Sequence, residues 1–127
     1  MGNKVMVIDD EPELLNLVKF TLERGGYEVA SCDDGRQAFE AVRQFRPDLV
    51  ILEVMIPGID GYSLQMKLAA EPETSKIPVI VLTALEPAKA LFQKFPQVVD
   101  FMTKPFKTED LLDVVRRVLV PPSEGEG

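Results

Sequence analysis

The sequence predicts a single α/β domain, in which helices cover both faces of a five-stranded parallel sheet. Short apolar runs alternate with longer amphipathic stretches, and this alternation of strand and helix patterns is typical of a doubly wound fold. The run D-L-V-I-L-E at residues 48–53 is apolar between its charged ends, as expected for a strand covered on both faces. A chain of 127 residues suits one domain with its own core.

The first half of the chain supplies three strands and two helices. The predicted elements are a strand over residues 4–8, a helix from Pro12 to the Gly25-Gly26 pair, a strand over 27–31, a helix over 35–44 and a strand over 48–53. Proline suits a first helical turn because no intrahelical partner exists there for an N–H. The inward face of the first helix is predicted from residues that recur at helical spacing, namely Leu14, Leu17, Val18, Thr21 and Leu22.

The second half repeats the pattern after the turn P-G-I-D-G at residues 57–61. A helix is predicted over 62–70, a strand over 78–82 and a strand over 98–102, while Pro87 and Pro96 bracket a short helix at most. Thr108 is the expected N-cap of the last helix, whose inward face carries Leu111, Val114, Val115 and Val118. The domain is expected to cover residues 1–120, with residues 121–127 as a flexible tail or the start of a linker.

Composition excludes several classes of function. The formal net charge of −7 argues against direct nucleic-acid binding, which needs a basic face. The chain has no histidine, so Ser-His-Asp catalysis and histidine-ligated zinc are ruled out. The single cysteine, Cys32, allows no internal disulfide. No apolar run reaches the length of a membrane span and no signal peptide is evident, so a cytoplasmic location without membrane contact is expected.

Charged and hydroxyl residues follow the predicted strands at the points where they end. In a flavodoxin-like sheet of order 2-1-3-4-5, sites form outside the carboxyl ends of the strands, at the switch point between the first and third strands. Asp9 and Asp10 follow the first strand, Glu53 ends the third, Thr83 ends the fourth and Lys104 follows the fifth. All five residues are therefore expected to converge on one edge of the sheet.

Three carboxylates at this edge would repel one another unless one takes up a proton or a cation neutralises them. Mg²⁺ is the natural candidate, because it uses one or two carboxylates together with water and phosphate oxygens. The Lys104 ammonium and the Thr83 hydroxyl would add donors, so cation, ammonium and hydroxyl together form a receptor for a phosphoryl group. A plainer interpretation of Asp9 and Asp10 is that they cap the helix that Pro12 begins.

Four motifs give the sequence a resemblance to a known family. They are V-I-D-D-E-P at residues 7–12, P-D-L-V-I-L-E-V-M-I-P-G-I-D-G at 47–61, V-I-V-L-T-A at 79–84 and K-P-F at 104–106. In this order and spacing they resemble the receiver domains of two-component response regulators, and the similarity covers residues 4–119. Each motif alone is weak evidence, whereas the four together are specific.

The resemblance implies a role for each matching residue. Asp9 and Asp10 match the acidic pair that holds Mg²⁺, with Asp10 preferred as the direct ligand, and the backbone carbonyl of Met55 matches a further ligand. Glu53 stands at the phospho-acceptor position and would share the metal. Thr83 matches the switch hydroxyl, Phe101 the aromatic rotamer switch and Lys104 the lysine that pairs with the phosphoryl group. The Lys104-Pro105 bond is usually cis in the family, and for Phe101 plain core packing is an equal alternative.

The family also implies partners. A sensor histidine kinase or a phosphotransfer protein would donate the phosphoryl group, and an effector domain or a downstream protein would receive the signal. The chain is expected to be a signalling module and not an enzyme. A Mg²⁺-dependent phosphatase and a flavin-binding protein are weaker alternatives. The acidic turn after the first strand would repel a flavin phosphate. The phosphatase alternative would require a cap domain, for which this sequence has no segment.

Two departures from the family pattern affect these expectations. Glu53 replaces the usual acceptor aspartate, and its extra methylene moves the carboxylate by about 1 Å, a displacement that can cost a reaction about a hundredfold. Glu53 is therefore expected either to inactivate phosphotransfer or to mimic the phosphorylated state. The alternative is a pseudo-receiver that acts by protein–protein docking alone. In the second departure, Gln97-Val98-Val99 stands where a pair of small residues usually precedes the last strand.

Overall fold

The computed structural model describes residues 2–119, so the predicted tail at 121–127 lies outside the described residues. In that span five parallel strands are ordered β2-β1-β3-β4-β5, which confirms the predicted fold class and strand order. The strands are β1 (Lys4–Ile8), β2 (Glu28–Cys32), β3 (Leu49–Leu52), β4 (Val79–Thr83) and β5 (Val98–Thr103). The helices are α1 (Pro12–Arg24), α2 (Gly35–Phe45), α3 (Gly61–Ala70), α4 (Lys89–Phe92) and α5 (Thr108–Val118). Among residues 2–119 there is no helix with the length and apolar character needed to cross a membrane.

The sheet separates two hydrophobic cores. Met6 and Ile8 of β1 enter a core with α2, α3 and α4, whereas Val5 and Val7 enter a second core with α1 and α5. Successive side chains of a strand point to opposite faces, so a strand covered on both faces is expected to be apolar at nearly every position. This explains why every residue of β3 and β4 is buried and why their sequences lack a polar alternation.

Element boundaries agree with the predictions to within a residue or two, and two details were wrong. Thr108 is the first residue of α5 and not its N-cap, which is Lys107, and no side chain caps this helix. Leu17 was assigned to the inward face of α1 by its spacing, yet it is 47% exposed, whereas Val18 and Leu22 are fully buried. The helix between Pro87 and Pro96 is short as expected, with a 3₁₀ turn (Glu86–Ala88) followed by the four residues of α4.

Asp60 caps the amino end of α3, the helix that follows the loop after β3. Its carboxylate accepts hydrogen bonds from the Ser63 backbone N–H at 2.8 Å and from the Ser63 hydroxyl at 2.9 Å. The Ser63 backbone bond, followed by the hydroxyl bond, lowers the pKa of Asp60. Its contribution to stability is therefore complete above the unfolded-state pKa near 4 and is lost as pH falls through the lower folded-state value.

We expect Asp60→Ala to lower the free energy of unfolding by about 1 kcal/mol at pH 7, because the first turn of α3 loses its cap. Denaturant unfolding of the parent, Asp60→Ala and Asp60→Ser measures this loss. Asp60→Ser should retain most of the stability, since serine also caps helices. Equal losses for alanine and serine would show that the cap is not the source of the effect.

Candidate functional site

Four of the five residues that were expected to converge lie at the carboxyl edge of the sheet, namely Asp9, Glu53, Thr83 and Lys104. β1 ends at Ile8 and is followed by Asp9, β3 ends at Leu52 and is followed by Glu53, and β5 ends one residue before Lys104. Thr83 is the last residue of β4. Because β1, β3, β4 and β5 are consecutive in the sheet, these strand ends lie side by side.

The Lys104 ammonium is the centre of this site. Its Nζ atom lies 2.7 Å from Glu53 Oε1, 2.9 Å from Asp9 Oδ2 and 2.8 Å from Glu11 Oε2. Asp9 and Glu53 are buried, whereas Glu11 lies at the solvent edge. Three carboxylates around one ammonium leave two net negative charges, so the cluster is a concentrated acidic site that one lysine neutralises only in part.

The second oxygen of Glu53 is held by the chain that follows it. Glu53 Oε2 accepts hydrogen bonds from the backbone N–H groups of Val54 at 2.6 Å and Met55 at 3.2 Å. Gly61 packs directly against this backbone, where a Cβ would lie 2.6 Å from the Val54 Cα, so only glycine allows α3 to begin here. Both carboxylate oxygens of Glu53 therefore have donors, one charged and two from the backbone.

Burial and charge act in opposite directions on the site. Burial raises the pKa of Asp9 and outweighs the hydrogen bonds from Lys104 and from the Glu11 N–H, and the negative charge of Glu53 adds a smaller contribution in the same direction. Burial also opposes the charged form of Lys104. However, hydrogen bonds to Glu11, Glu53 and Asp9 raise the pKa of Lys104 above its ordinary value. The lysine therefore stays charged throughout the neutral range.

Oxygen atoms from Asp9, Glu11 and Glu53 lie within 4.8 Å of one another and could hold a metal ion. This donor set contains only hard carboxylate oxygens, which suits Mg²⁺ and not a soft metal. The residual charge of the cluster also favours a divalent cation. The residues present therefore fit the predicted Mg²⁺.

The other predicted site residues are placed differently. Asp10 is exposed and does not belong to the acidic cluster, and the Met55 side chain is also exposed. Thr83 is fully buried, and its hydroxyl oxygen accepts a hydrogen bond from the Leu85 N–H at 3.1 Å. Phe101 is half-buried and packs against the core formed with α2, α3 and α4. The Lys104-Pro105 bond is cis, as expected.

Sequence reasoning missed two parts of the site. Glu11 is the third carboxylate partner of Lys104 and was not predicted as a site residue. The sequence feature that indicates it is the continuation of the acidic pair into D-D-E at residues 9–11. The backbone amides of Val54 and Met55 left no signal, because any residue except proline supplies an N–H.

Comparison with known proteins places these features in a family. A family model described as the response regulator receiver domain matches residues 5–116. The DNA-binding dual master transcriptional regulator RpaA of Synechocystis sp. is 37% identical over 117 residues, which cover 91% of this chain and 48% of that protein. The alkaline phosphatase synthesis transcriptional regulatory protein PhoP of Bacillus subtilis is 32% identical over 126 residues, covering 94% and 49%. The chain thus spans about half the length of these curated relatives.

Solved receiver domains have the same fold. The receiver domain of the sensor histidine kinase PA1611 from Pseudomonas aeruginosa, solved with a magnesium ion coordinated in its active site cleft, matches with a TM-score of 0.84 and 26% identity. That match covers 95% of this chain and all of the other. The BeF3-activated N-terminal receiver domain of RstA from Klebsiella pneumoniae matches with a TM-score of 0.84 and 28% identity, covering 94% of this chain and all of the other.

Proposed function

The chain belongs to the response regulator receiver domain family of two-component signalling, and from this premise we propose that it is a Mg²⁺-binding receiver whose phosphoryl site is occupied by its own Glu53 carboxylate. In this proposal, Glu53 stands at the acceptor position and prevents normal phosphoryl transfer. The residue supplies a permanent negative charge where other receivers acquire one.

The hydrogen bonding of Glu53 is the observation that carries the proposal. A phosphoryl group is stabilised by preorganised donors directed at its oxygens. Here the Lys104 ammonium and the Val54 and Met55 amides all donate to the Glu53 carboxylate. An incoming phosphoryl oxygen would have to displace this carboxylate from each donor. An aspartate is one methylene shorter and would leave room between its carboxylate and these donors.

Mg²⁺ would be held by Asp9, Glu53 and Glu11, the three residues whose carboxylate oxygens converge. When bound, the ion supplies the positive charge that neutralises the cluster and the phosphoryl oxygens. The family resemblance adds Asp10 and the Met55 carbonyl as ligands, and these two assignments are part of the proposal. Asp10 is exposed, so it would have to turn toward the cluster.

We assign the switch roles by the family pattern. Thr83 would turn its hydroxyl from the Leu85 N–H toward a charge at the acceptor position, and Phe101 would follow by changing its rotamer.

A sensor histidine kinase or a phosphotransfer protein is the expected partner. Relatives such as RpaA are described as DNA-binding and are about twice as long as this chain, so an effector domain or a downstream protein is the expected output. A cytoplasmic location is proposed on the same basis.

A pseudo-receiver that acts only by docking is the second candidate. It is favoured by the same contacts, because Lys104 already has three carboxylate partners and Glu53 already has three donors. In this candidate the site is a structural charge cluster, and Thr83 and Phe101 have no switching role.

Intact-mass measurement after exposure to acetyl phosphate and Mg²⁺ separates the two candidates. We expect the parent protein to gain no phosphoryl group, and Glu53→Asp to be labelled at least about a hundredfold faster, because the acceptor carboxylate regains its reactive position. Glu53→Gln is the matched control and should remain unlabelled, since an amide is a poor nucleophile.

Each outcome has a distinct meaning. Labelling of Glu53→Asp alone supports a receiver whose acceptor is blocked by one methylene. If neither protein is labelled although both are folded by circular dichroism, the docking candidate replaces the proposal. Labelling of the parent at a rate similar to Glu53→Asp would contradict occupation of the site by Glu53.

A further inference from the structure

One face of α3 packs against residues 92–97, here called the connector, which comprise the last residue of α4 and the segment that joins α4 to β5. Tyr62 and Gln65 are one turn apart on α3, so their side chains lie on the same face. Tyr62 contacts aromatic residues of the connector, and Gln65 contacts Gln97 at its end. This interface contains the Gln97 that departs from the family pattern.

The first half of the interface is aromatic. The Tyr62 ring lies 5.7 Å from the Phe92 ring in an edge-to-face arrangement and 5.7 Å from the Phe95 ring. The Lys94 ammonium lies over both Tyr62 and Phe95, at 5.1 and 5.6 Å from the ring centroids. Phe92 is fully buried, so this half anchors α4, which is too short to be stable alone.

The second half is a pair of buried amides. Gln97 Nε2 donates to the backbone carbonyls of Thr74 at 3.0 Å and Ile77 at 2.8 Å, so Gln97 Oε1 must face α3. There it accepts a hydrogen bond from Gln65 Nε2 at 2.9 Å. Gln65 is fully buried and its own Oε1 has no partner among the described residues. Gln97 is therefore the essential member of the pair, because it alone satisfies three other groups.

Gln97 also secures the start of β5. Its backbone carbonyl accepts a hydrogen bond from the Val79 N–H at 2.7 Å, and Val98 pairs with Val79. The next pair is Ile80 with Asp100, so Val99 is an extra residue in a bulge. A bulge locally disrupts the ladder of backbone hydrogen bonds, and the Gln97 side chain supplies further bonds at this end of β5.

We propose that Tyr62 and Gln65 on α3 form a two-part latch with the connector, and that this latch holds α4 and the start of β5 in one position. The proposal is independent of the function assigned above. Among residues 2–119, no side-chain hydrogen bond or ion pair joins the connector to the Lys104 cluster, so the latch can be perturbed without removing a contact of the charged site.

Hydrogen exchange followed by mass spectrometry tests the latch on the full chain. We expect Gln97→Leu to accelerate exchange in peptides from residues 85–99 by about tenfold or more, because it leaves two carbonyls and the Gln65 amide unpaired. Gln65→Leu should have a smaller effect. It leaves Gln97 Oε1 without a donor, but it also removes Gln65 Oε1, which has no partner among the described residues of the parent. Gln37→Leu, on the exposed surface of α2, is the matched control and should change nothing.

A further variant keeps the test decisive. Phe95→Ala breaks the aromatic half at a half-buried position, so it should preserve the fold and accelerate exchange in the same peptides even if Gln97→Leu does not fold. The proposal is overturned if Gln65→Leu matches Gln97→Leu or if Phe95→Ala leaves exchange in residues 85–99 unchanged.

Discussion

Lys104→Met is expected to lower the free energy of unfolding by about 3–5 kcal/mol at pH 7, because it removes the charge partner of buried carboxylates. Asp9 and Glu53 are only 2% and 5% exposed, so without the ammonium neither is adequately solvated. Glu11 contributes little to this loss, because its side chain is largely in solvent. Urea unfolding of the variant and the parent measures the difference.

Mg²⁺ should restore part of this stability. A ligand that binds only the folded state raises the free energy of unfolding, and the three unpaired carboxylates of Lys104→Met offer Mg²⁺ a more negative site than the parent does. We therefore expect the melting temperature of the variant to rise more with Mg²⁺ than that of the parent. Lys107→Met, an exposed neighbour, is the control and should change stability by less than about 0.5 kcal/mol. A variant as stable as the parent in the absence of Mg²⁺ would contradict the central role of Lys104.

The pH dependence of the parent follows from the same contacts. The pKa of Lys104 is raised in the fold, so its contribution to stability is complete below the unfolded-state value near 10.5 and is lost only as pH rises through the higher folded-state value. The pKa of Asp9 is also raised, so Asp9 binds a proton more readily in the folded state than in the unfolded state. The contribution of Asp9 to stability is therefore complete below its unfolded-state pKa and is lost as pH rises through its higher folded-state pKa. The free energy of unfolding of Lys104→Met should therefore lack the decrease at alkaline pH that the titration of Lys104 produces in the parent.

Phe92→Ala is expected to lower the free energy of unfolding by about 3–5 kcal/mol, which is the usual cost of removing a buried phenylalanine ring. Phe92 is fully buried in the core formed with α2 and α3, and it is the last residue of a four-residue helix. The ring is therefore the main attachment of α4. Leu91→Ala is the matched control, because Leu91 is adjacent but 55% exposed, and its effect should stay within about 0.5 kcal/mol.

Guanidinium unfolding of both variants measures these losses. The side chains around a large-to-small substitution usually close the cavity only in part. A loss of less than about 1 kcal/mol for Phe92→Ala would mean that they close it almost completely. Such a result would also weaken the inference that the connector is anchored through its aromatic half.

Sequence alone determined the fold and the location of the site. Apolar periodicity distinguishes helices from strands because their side chains repeat every 3.6 and 2 residues, and a parallel sheet brings the carboxyl ends of its strands to one edge. Asp9, Glu53 and Lys104 could therefore be assigned to one site before their contacts were known. The lysine and the two acids do meet there, with distances of 2.7 and 2.9 Å.

Only the tertiary structure decided which groups bind one another within that site. Asp9, Asp10 and Glu11 are consecutive acids, and the contacts of Asp9 and Glu11 with Lys104 could not be predicted, because the direction of a side chain in a turn depends on local backbone angles that carry no periodic signal. The bonds from the Val54 and Met55 amides to Glu53 depend on the path of the backbone after β3. The role of Gln97 was equally hidden, because its partners lie 20 to 32 residues away, and a buried amide is satisfied by groups that the fold brings together.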